Sequence, residues 1–217
     1  MTDRTEVFLE KYRTPLPAYL SEMSKCARNN NIPIITRGTG DVLRYILRTV
    51  DPDEILEIGT AIGFSALFMM ECLSDKDVHI TTIEKIETRY VQAEENFAKY
   101  DKEKRITLIK EDAEEAIKRL KEEGKRYKVI FLDAAKGQYI FFLPILVELL
   151  EVGGVMMSDN IFHNGVVMNS KYAVSQRDRT IHERLRDYLS AVTDNEKLES
   201  LIFPVDDGIV VSKKIKE

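Results

Sequence analysis

Acidic and amide side chains stand at the ends of two apolar segments in the second half of the sequence. Asp133 ends residues 128–133, while Asp159 ends residues 154–159 and is followed by Asn160. Carboxylate and amide oxygens are hard ligands that suit Mg²⁺, an ion that keeps open positions for oxygens of other molecules. If the two segments are neighbouring strands, these side chains predict a magnesium site. The alternative is that each one only caps the helix that follows.

A glycine-containing loop follows an earlier apolar segment, residues 54–58. The loop from Glu57 to Ser65 reads Glu-Ile-Gly-Thr-Ala-Ile-Gly-Phe-Ser, and Gly59 and Gly63 let the backbone turn tightly beside a ligand. Ser65 stands where a helix begins, which favours a nucleotide-like ligand. The spacing differs from the G-x-G-x-x-G of dinucleotide sites, and no phosphate-binding lysine is present. Glu57 would repel a pyrophosphate but suits a cationic amino-acid group.

Two further segments end in residues that suit a nucleoside. Glu84 ends residues 78–84, where a carboxylate can accept both hydroxyl groups of a ribose. Asp112 and Ala113 follow residues 105–110 and are candidates to border an adenine ring. A single carboxylate at a strand end is more often a helix cap or a solvated charge. Three strand ends that meet at one loop favour a cofactor site instead.

The elements that must position these residues alternate between short apolar and longer amphipathic segments. This alternation predicts βα units and an open, doubly wound, Rossmann-like α/β sheet that is mostly parallel. The predicted strands are residues 54–58, 78–84, 105–110, 128–133 and 154–159, and the predicted helices between them are residues 64–73, 87–100, 113–123 and 139–150.

The two ends of the sequence depart from this alternation. After a helical stretch at residues 180–192, residues 198–203 and 209–212 flank an Asp-Gly pair, which predicts a hairpin and an antiparallel last strand. Helical stretches at residues 4–12, 16–30 and 40–50 precede the sheet. We therefore expect a single domain over residues 1–217, with an N-terminal helical cap (1–50) and a Rossmann-like core (51–217).

Composition excludes several classes of protein. Of the 217 residues, 44% are hydrophobic and 32% charged, as in a folded domain. No apolar run reaches the roughly 20 residues of a membrane span, and the first residues lack a signal peptide, so we expect a cytoplasmic protein without membrane contact. Cys26 and Cys72 lie too far apart for a thiolate zinc motif, and two cysteines do not make a disulfide framework.

Together, these motifs resemble the class I S-adenosylmethionine-dependent methyltransferases. The loop from Glu57 to Ser65, Glu84, Asp112-Ala113 and the segment Phe131-Leu-Asp-Ala-Ala-Lys136 look like those of the metal-dependent O-methyltransferases of the catechol and caffeoyl-CoA type. The similarity runs from about residue 32 to residue 214. It implies an enzyme that transfers a methyl group from S-adenosylmethionine to an oxygen with the help of Mg²⁺, and it implies a homodimer.

The resemblance also implies a role for each residue of these motifs. Lys136 matches the lysine that catechol-type enzymes use as general base. The implied magnesium ligands are Asp133, Asp159 and Asn160. The implied cofactor contacts are Glu57, Gly59 and Ser65 around the methionine part, Glu84 at the ribose, Asp112 and Ala113 at the adenine, and Asp133 beside them.

A substrate with two neighbouring oxygens, one of them ionisable, fits this chemistry. Residues 133–139 and 204–214 resemble the bacterial branch that methylates 5-hydroxyuridine at the tRNA wobble position to 5-methoxyuridine. We therefore expect the tRNA anticodon loop as a partner. The alternative is O-methylation of a small catechol-like or acyl-CoA phenolic substrate. A module that only binds the cofactor is a third possibility, but Asp133, Lys136, Asp159 and Asn160 together argue against it.

Basic residues are concentrated on both sides of an acidic middle. The net charge is −5, yet residues 1–50 carry +3 and residues 163–190 carry +2. We expect both segments to border the site and to meet phosphates, although a solvated surface or a dimer interface would explain them equally. The residues are Arg28, Arg37, Arg44, Arg48, Lys171, Arg177, Arg179, Arg184 and Arg186. His163 has no assigned role, and Asn164 replaces a lysine that relatives of the tRNA branch tend to have.

Overall fold

The computed structural model describes residues 4–217, apart from the side chains of residues 5 and 6, and these residues form one seven-stranded sheet. The strands are β1 (Glu54–Ile58), β2 (His79–Ile83), β3 (Ile106–Ile109), β4 (Tyr127–Leu132), β5 (Leu150–Asp159), β6 (Leu198–Phe203) and β7 (Ile209–Lys214). Each predicted strand is present, and all boundaries but one lie within two residues of the prediction.

Helices precede the sheet and connect its strands. Three come before β1, namely α1 (Arg4–Glu10), α2 (Ala18–Asn29) and α3 (Arg37–Val50). The others are α4 (Phe64–Cys72), α5 (Glu87–Tyr100), α6 (Ala113–Glu122), α7 (Tyr139–Leu149) and α8 (Arg179–Thr193), with short 3₁₀ helices at Lys136–Gln138 and Val166–Met168. None of the helices in residues 4–217 is long and apolar enough to cross a membrane.

The strand order confirms the predicted doubly wound, mostly parallel sheet. It runs β3-β2-β1-β4-β5-β7-β6, and the first five of these strands are parallel. The hairpin prediction is also confirmed, because β7 lies antiparallel to both β5 and β6. Helices cover both faces: Ile55 packs with residues of α2 to α5, whereas Leu56 and Ile58 pack with residues of α6 to α8.

The register brings the carboxyl ends of four strands to one edge. Ile58 of β1 is aligned with Ile83 of β2 and with Leu132 of β4, and Leu132 is aligned with Ser158 of β5. The residues that follow these positions therefore stand side by side. The chain continues from β1 to β2 on one side and returns to β4 on the other, so this edge holds the switch in strand order where α/β proteins bind ligands.

The largest boundary difference is in β5, which begins at Leu150 and not at residue 154. Gly153 has a left-handed backbone (φ 83°), and the pairing of β4 with β5 shifts between Tyr127 and Val129. A Cβ on Gly154 would lie 2.8 Å from the carbonyl oxygen of Lys128. The two glycines thus form an irregularity inside one long strand.

Candidate active site

The carboxyl ends of β1, β2, β4 and β5 border a cavity of about 550 Å³. Glu57 and Ser65 are buried and are not among the residues that line this cavity. Ile34 and Thr36, which precede α3, close it from the N-terminal side. The predicted residues that line it are Gly59, Glu84, Asp112, Ala113, Asp133, Lys136, Asp159 and Asn160.

The turn after β1 requires glycine at its first position. Gly59 has a φ of 106°, and a Cβ there would overlap the carbonyl oxygen of Asp133. The N–H groups of Gly59 and Thr60 both donate to the carbonyl of Ile83, at 3.0 and 3.1 Å. The loop is therefore fixed to β2 and lies against the end of β4, with its backbone open to the cavity.

Glu57 is a fully buried carboxylate under this turn. Its Oε2 accepts a hydrogen bond from the hydroxyl of Thr82, whereas Oε1 has no hydrogen-bond partner among the described residues. Burial raises the pKa of Glu57 to about 7, although the hydroxyls of Ser65 and Thr82 oppose this effect. An unpartnered buried carboxylate oxygen is costly and fits a cationic ligand.

Glu84 is held rigidly at the end of β2. Its Oε2 accepts a hydrogen bond from the N–H of Ala61 (3.1 Å), and its Oε1 accepts from the N–H groups of Lys85 (3.0 Å) and Ile86 (2.9 Å). Two carboxylate oxygens offer about four acceptor positions, and three of them are used by these N–H groups, so this buried group can still accept one hydroxyl hydrogen from the cavity.

Asp112 begins α6 and has a structural contact of its own. Its Oδ1 accepts from the N–H of Glu114 at 3.0 Å, as an N-cap residue does. Its Oδ2 accepts from Nζ of Lys85 at 2.9 Å, and this lysine lowers the pKa of Asp112. Asp112 thus serves as the N-cap of α6, and from the same position it can border a ligand in the cavity.

Lys136 lines the cavity from the side of β4, on a 3₁₀ helix that follows this strand. Its Nζ donates to Oδ1 of Asp133 at 2.6 Å and to the hydroxyl of Tyr139 at 3.1 Å. The side chain is 17% exposed, so it reaches the cavity while its amine is held by two partners.

Asp159 is a buried carboxylate that neighbours Asp133. Its Oδ1 accepts from the N–H of Asn160 (2.8 Å) and from the hydroxyl of Thr39 (3.3 Å). Burial, followed by the charge of Asp133, raises the pKa of Asp159 to about 7. No basic side chain among the described residues lies within ion-pair distance of it, so the acid is one that a bound cation would stabilise.

The donor set fits a hard divalent cation. Asp133, Asp159 and Asn160 line one cavity and offer carboxylate and amide oxygens, as Mg²⁺ prefers. Across the described residues there is no group of three His, Cys, Asp or Glu that could hold a metal, so the set depends on the amide of Asn160.

The hydrogen bonds of two residues of this site were not predicted from the sequence. The fully buried hydroxyl of Tyr139 lies 3.1 Å from the carbonyls of both Leu132 and Asp159, which joins the ends of β4 and β5 behind Lys136. Its position three residues after Lys136, about one helical turn, was an available signal. Thr39 approaches Asp159 across 120 residues of sequence, and no pattern indicates it.

The basic residues divide into two groups. Several are used by the fold: Arg184 donates to the carbonyl of Gly137, Arg186 to that of Val167 and Arg37 to that of Thr14, while Arg44 lies over the ring of Phe68. The exposed remainder is Arg28, Arg48, Lys171, Arg177 and Arg179, none of which lines the cavity.

Three further residues of the sequence analysis are located by the structure. Arg177 precedes α8, whereas Arg179 is its first residue. His163 is half-buried beside the site, and its N–H donates to the carbonyl of Asn160, but its side chain does not line the cavity.

Comparison with known proteins decides the family. The model of the family described as O-methyltransferase matches residues 11–215. The chain belongs to the O-methyltransferase family. This confirms the predicted class of enzyme, an S-adenosylmethionine-dependent O-methyltransferase, whereas the resemblance to the tRNA branch stays a prediction.

Individual relatives of this O-methyltransferase agree with that assignment. The caffeoyl-CoA O-methyltransferase of Stellaria longipes is 26% identical over 204 residues, which cover 91% of this chain and 83% of the relative. The tapetum-specific methyltransferase 1 of Arabidopsis thaliana is 25% identical and covers 80% and 74%. The SAH-bound crystal structure of the Podospora anserina methyltransferase PaMTH1 superposes with a TM-score of 0.87, at 25% identity and 99% and 95% coverage.

Proposed function

We propose that the enzyme transfers the methyl group of S-adenosylmethionine to one hydroxyl of a substrate whose neighbouring oxygen binds the same divalent cation. A single observation carries this proposal: one cavity is lined by Gly59 and Glu84 on one side and by Asp133, Lys136 and Asp159 on the other. A methyl donor and an oxygen nucleophile bound at these two positions would meet in the middle, as displacement at carbon requires.

The cofactor side of the cavity suits S-adenosylmethionine. Glu57 does not line the cavity, but its buried Oε1 has no partner among the described residues and its charge suits an ammonium group bound beside the loop. Gly59 lines the cavity and lets the loop lie against the carbonyl of Asp133. The fixed carboxylate of Glu84 can accept a ribose hydroxyl at its remaining acceptor position, and Asp112 with Ala113 would border the adenine. In support, PaMTH1 at 25% identity was solved with SAH, the demethylated product of this cofactor.

The acceptor side suits Mg²⁺ held by Asp133, Asp159 and Asn160. When bound, the ion supplies the positive charge that stabilises a substrate oxyanion and that Asp133 now receives from Lys136. Lys136 then no longer has to neutralise Asp133, and once its ammonium has released a proton to solvent, the neutral amine can take the proton of the substrate hydroxyl as general base. Tyr139 accepts a hydrogen bond from the lysine and keeps the amine at the cavity wall.

The favoured substrate is a small catechol-like phenol or its acyl-CoA ester. The apolar side chains of Ile34, Ala134 and Phe142 line the cavity and suit a flat ring. The relatives named as caffeoyl-CoA O-methyltransferases support the same chemistry.

The 5-hydroxyuridine of a tRNA anticodon loop is the second candidate, and it stays a prediction. It is favoured by Lys171, Arg177 and Arg179, which are exposed and have no acidic partner within ion-pair distance among the described residues. Such cations could meet phosphates.

Parallel assays with three substrates test both candidates. The enzyme is incubated with S-adenosylmethionine carrying a labelled methyl group, Mg²⁺, and either catechol, caffeoyl-CoA or tRNA that contains 5-hydroxyuridine. Mass spectrometry then locates the label, with Asp159→Ala as the inactive control. Labelled guaiacol or feruloyl-CoA supports the phenolic substrate, and labelled 5-methoxyuridine alone would replace it with the tRNA. Transfer to none of the three would contradict the proposed function.

A further inference from the structure

The turn between β6 and β7 reaches across the site to the start of α3. Asp206, in this turn, accepts hydrogen bonds through Oδ2 from the hydroxyl of Thr36 and from the N–H of Thr39, the latter at 2.9 Å. Thr36 is the N-cap of α3 and itself accepts from the N–H of Thr39 at 3.1 Å. A Cβ on Gly38 would overlap Oδ2 of Asp206, so glycine is what permits this approach.

The directions of these hydrogen bonds follow from the number of hydrogens. Each threonine hydroxyl has one hydrogen. Because Thr36 donates its one hydrogen to the carboxylate of Asp206, its oxygen acts as an acceptor towards Thr39. The Thr39 hydroxyl then has two acceptors within hydrogen-bond distance, the hydroxyl oxygen of Thr36 (3.1 Å) and Oδ1 of Asp159 (3.3 Å), and the ionised carboxylate is the stronger of the two.

These contacts decide which oxygen of Asp159 faces a ligand. Oδ1 accepts from both Asn160 and Thr39, whereas Oδ2 accepts no hydrogen bond from the described residues. The carboxylate is thus held in one orientation from the side of α3.

The same turn also holds the segment that follows Asn160. Oδ1 of Asp207 accepts from the N–H of Asn164 at 2.7 Å, and the carbonyls of Asp207 and Gly208 accept from the N–H groups of Phe162 (2.9 Å) and Ile161 (3.1 Å). One five-residue turn, residues 204–208, therefore fixes both the start of α3 and the segment that follows Asn160.

We propose that Thr39 and Asp206 are positioning residues for Asp159, and that through them the β6–β7 turn sets the affinity of the site for a divalent cation. This inference rests on the proposed function, because it assumes the cation ligands Asp133, Asp159 and Asn160. Partners that orient a metal ligand typically change metal affinity by about 10- to 100-fold when they are removed.

Binding of Mn²⁺ alone, followed by the electron paramagnetic resonance of the free ion, tests the inference without turnover. We expect Thr39→Val to weaken binding about tenfold and Asp206→Ala to weaken it severalfold. Thr39→Ser, which keeps the hydroxyl, should restore the affinity. Thr49→Val is the matched control, because Thr49 is exposed on the same helix. The affinity for S-adenosylmethionine should stay within twofold in all four variants.

The outcomes separate this inference from the proposed function. If the unmodified enzyme does not bind Mn²⁺ up to millimolar concentration, the cation site and the proposed mechanism are both wrong. If it binds Mn²⁺ and folded Thr39→Val binds equally well, the positioning role is wrong and the proposed function stands. Should Thr39→Val fail to fold, Asp206→Ala decides in the same way. Weakening by Thr39→Ser as large as by Thr39→Val would also overturn the inference.

Discussion

Replacing Glu57 by Gln should stabilise the enzyme and weaken cofactor binding at the same time. Burial raises the pKa of Glu57 to about 7, against 4.5 for an exposed glutamate. Because the carboxyl pKa is higher in the folded than in the unfolded state, the free energy of unfolding falls as the pH rises from 4.5 through 7. Above pH 7 the full cost of the buried charge is present, and below 4.5 it is absent.

The pKa difference sets the magnitude of this effect. Each pKa unit corresponds to about 1.4 kcal/mol, so ionisation of Glu57 lowers the free energy of unfolding by about 3 kcal/mol above pH 7. About 2 to 3 kcal/mol of this loss develops between pH 5 and pH 8. Glutamine keeps a carbonyl for the Thr82 hydroxyl and carries no charge. For a protein of this size we expect the melting temperature of Glu57→Gln, relative to the unmodified enzyme, to rise by about 5–10 °C more at pH 8 than at pH 5.

Cofactor binding should change in the opposite direction. A charged hydrogen bond contributes about 1.5–3 kcal/mol, so losing the carboxylate should weaken S-adenosylmethionine binding about 10- to 100-fold. Because the cationic ligand favours the ionised carboxylate, binding to the unmodified enzyme near pH 7 should also release protons. Calorimetry in two buffers of different ionisation enthalpy measures this release.

Thermal melting without cofactor, at pH 5 and pH 8, and titration with S-adenosylmethionine are the assays. Glu54→Gln is the control, because Glu54 is on the same strand but only half-buried. A pH-independent shift in melting temperature would show that Glu57 does not carry the cost of a buried charge. Unchanged cofactor affinity would show that its free oxygen does not face the cofactor.

Four further predictions concern the acceptor side of the cavity and the cofactor loop. Lys136→Ala should lower kcat at least 100-fold and leave the cofactor dissociation constant within twofold, which single-turnover kinetics and calorimetry can separate. Tyr139→Phe removes a buried hydroxyl with three partners. It should destabilise the enzyme by about 1–2 kcal/mol in urea unfolding and should also lower kcat. An unchanged kcat would exclude a role of Tyr139 in placing Lys136. Gly59→Ala forces a Cβ into the carbonyl of Asp133 and should abolish cofactor binding in calorimetry, while Gly124→Ala, with open space around it, should not. Treatment with EDTA should stop methyl transfer, and added Mg²⁺ should restore it, since activity that survives chelation would exclude the cation.

Local patterns in the sequence were sufficient for most of the sheet. The run from Glu54 to Ile58 was predicted with the observed boundaries, because a short apolar segment ahead of a glycine turn reads as a strand in any context. The start of β5 was not, since Leu150 and the two glycines after it read locally as a helix end and a turn. The pairing of Leu150 with Tyr127 of β4 is what adds that stretch to the strand.

The candidate site was predictable where it depends on topology and unpredictable where it depends on side-chain approach. Gly59, Glu84, Asp133 and Asp159 each stand at the carboxyl end of a parallel strand, so their convergence follows from strand order. The contact of Asp206 with Thr39 joins residues 167 apart through one carboxylate, and it needs a glycine at position 38. Nothing periodic in the sequence encodes such a contact.

The position of β7 explains why the end of the chain matters to a site built near its middle. Because β7 lies between β5 and β6, the hairpin turn emerges beside the carboxyl end of β5, where Asp159 is aligned with Ile209. A parallel last strand would have placed this turn at the opposite edge of the sheet. The antiparallel hairpin therefore brings a third support to Asp159, in addition to β5 itself and α3. The two carboxylates of the acceptor side thus differ: Asp133 is held by the amine of a lysine side chain, and Asp159 by a backbone amide and a threonine hydroxyl.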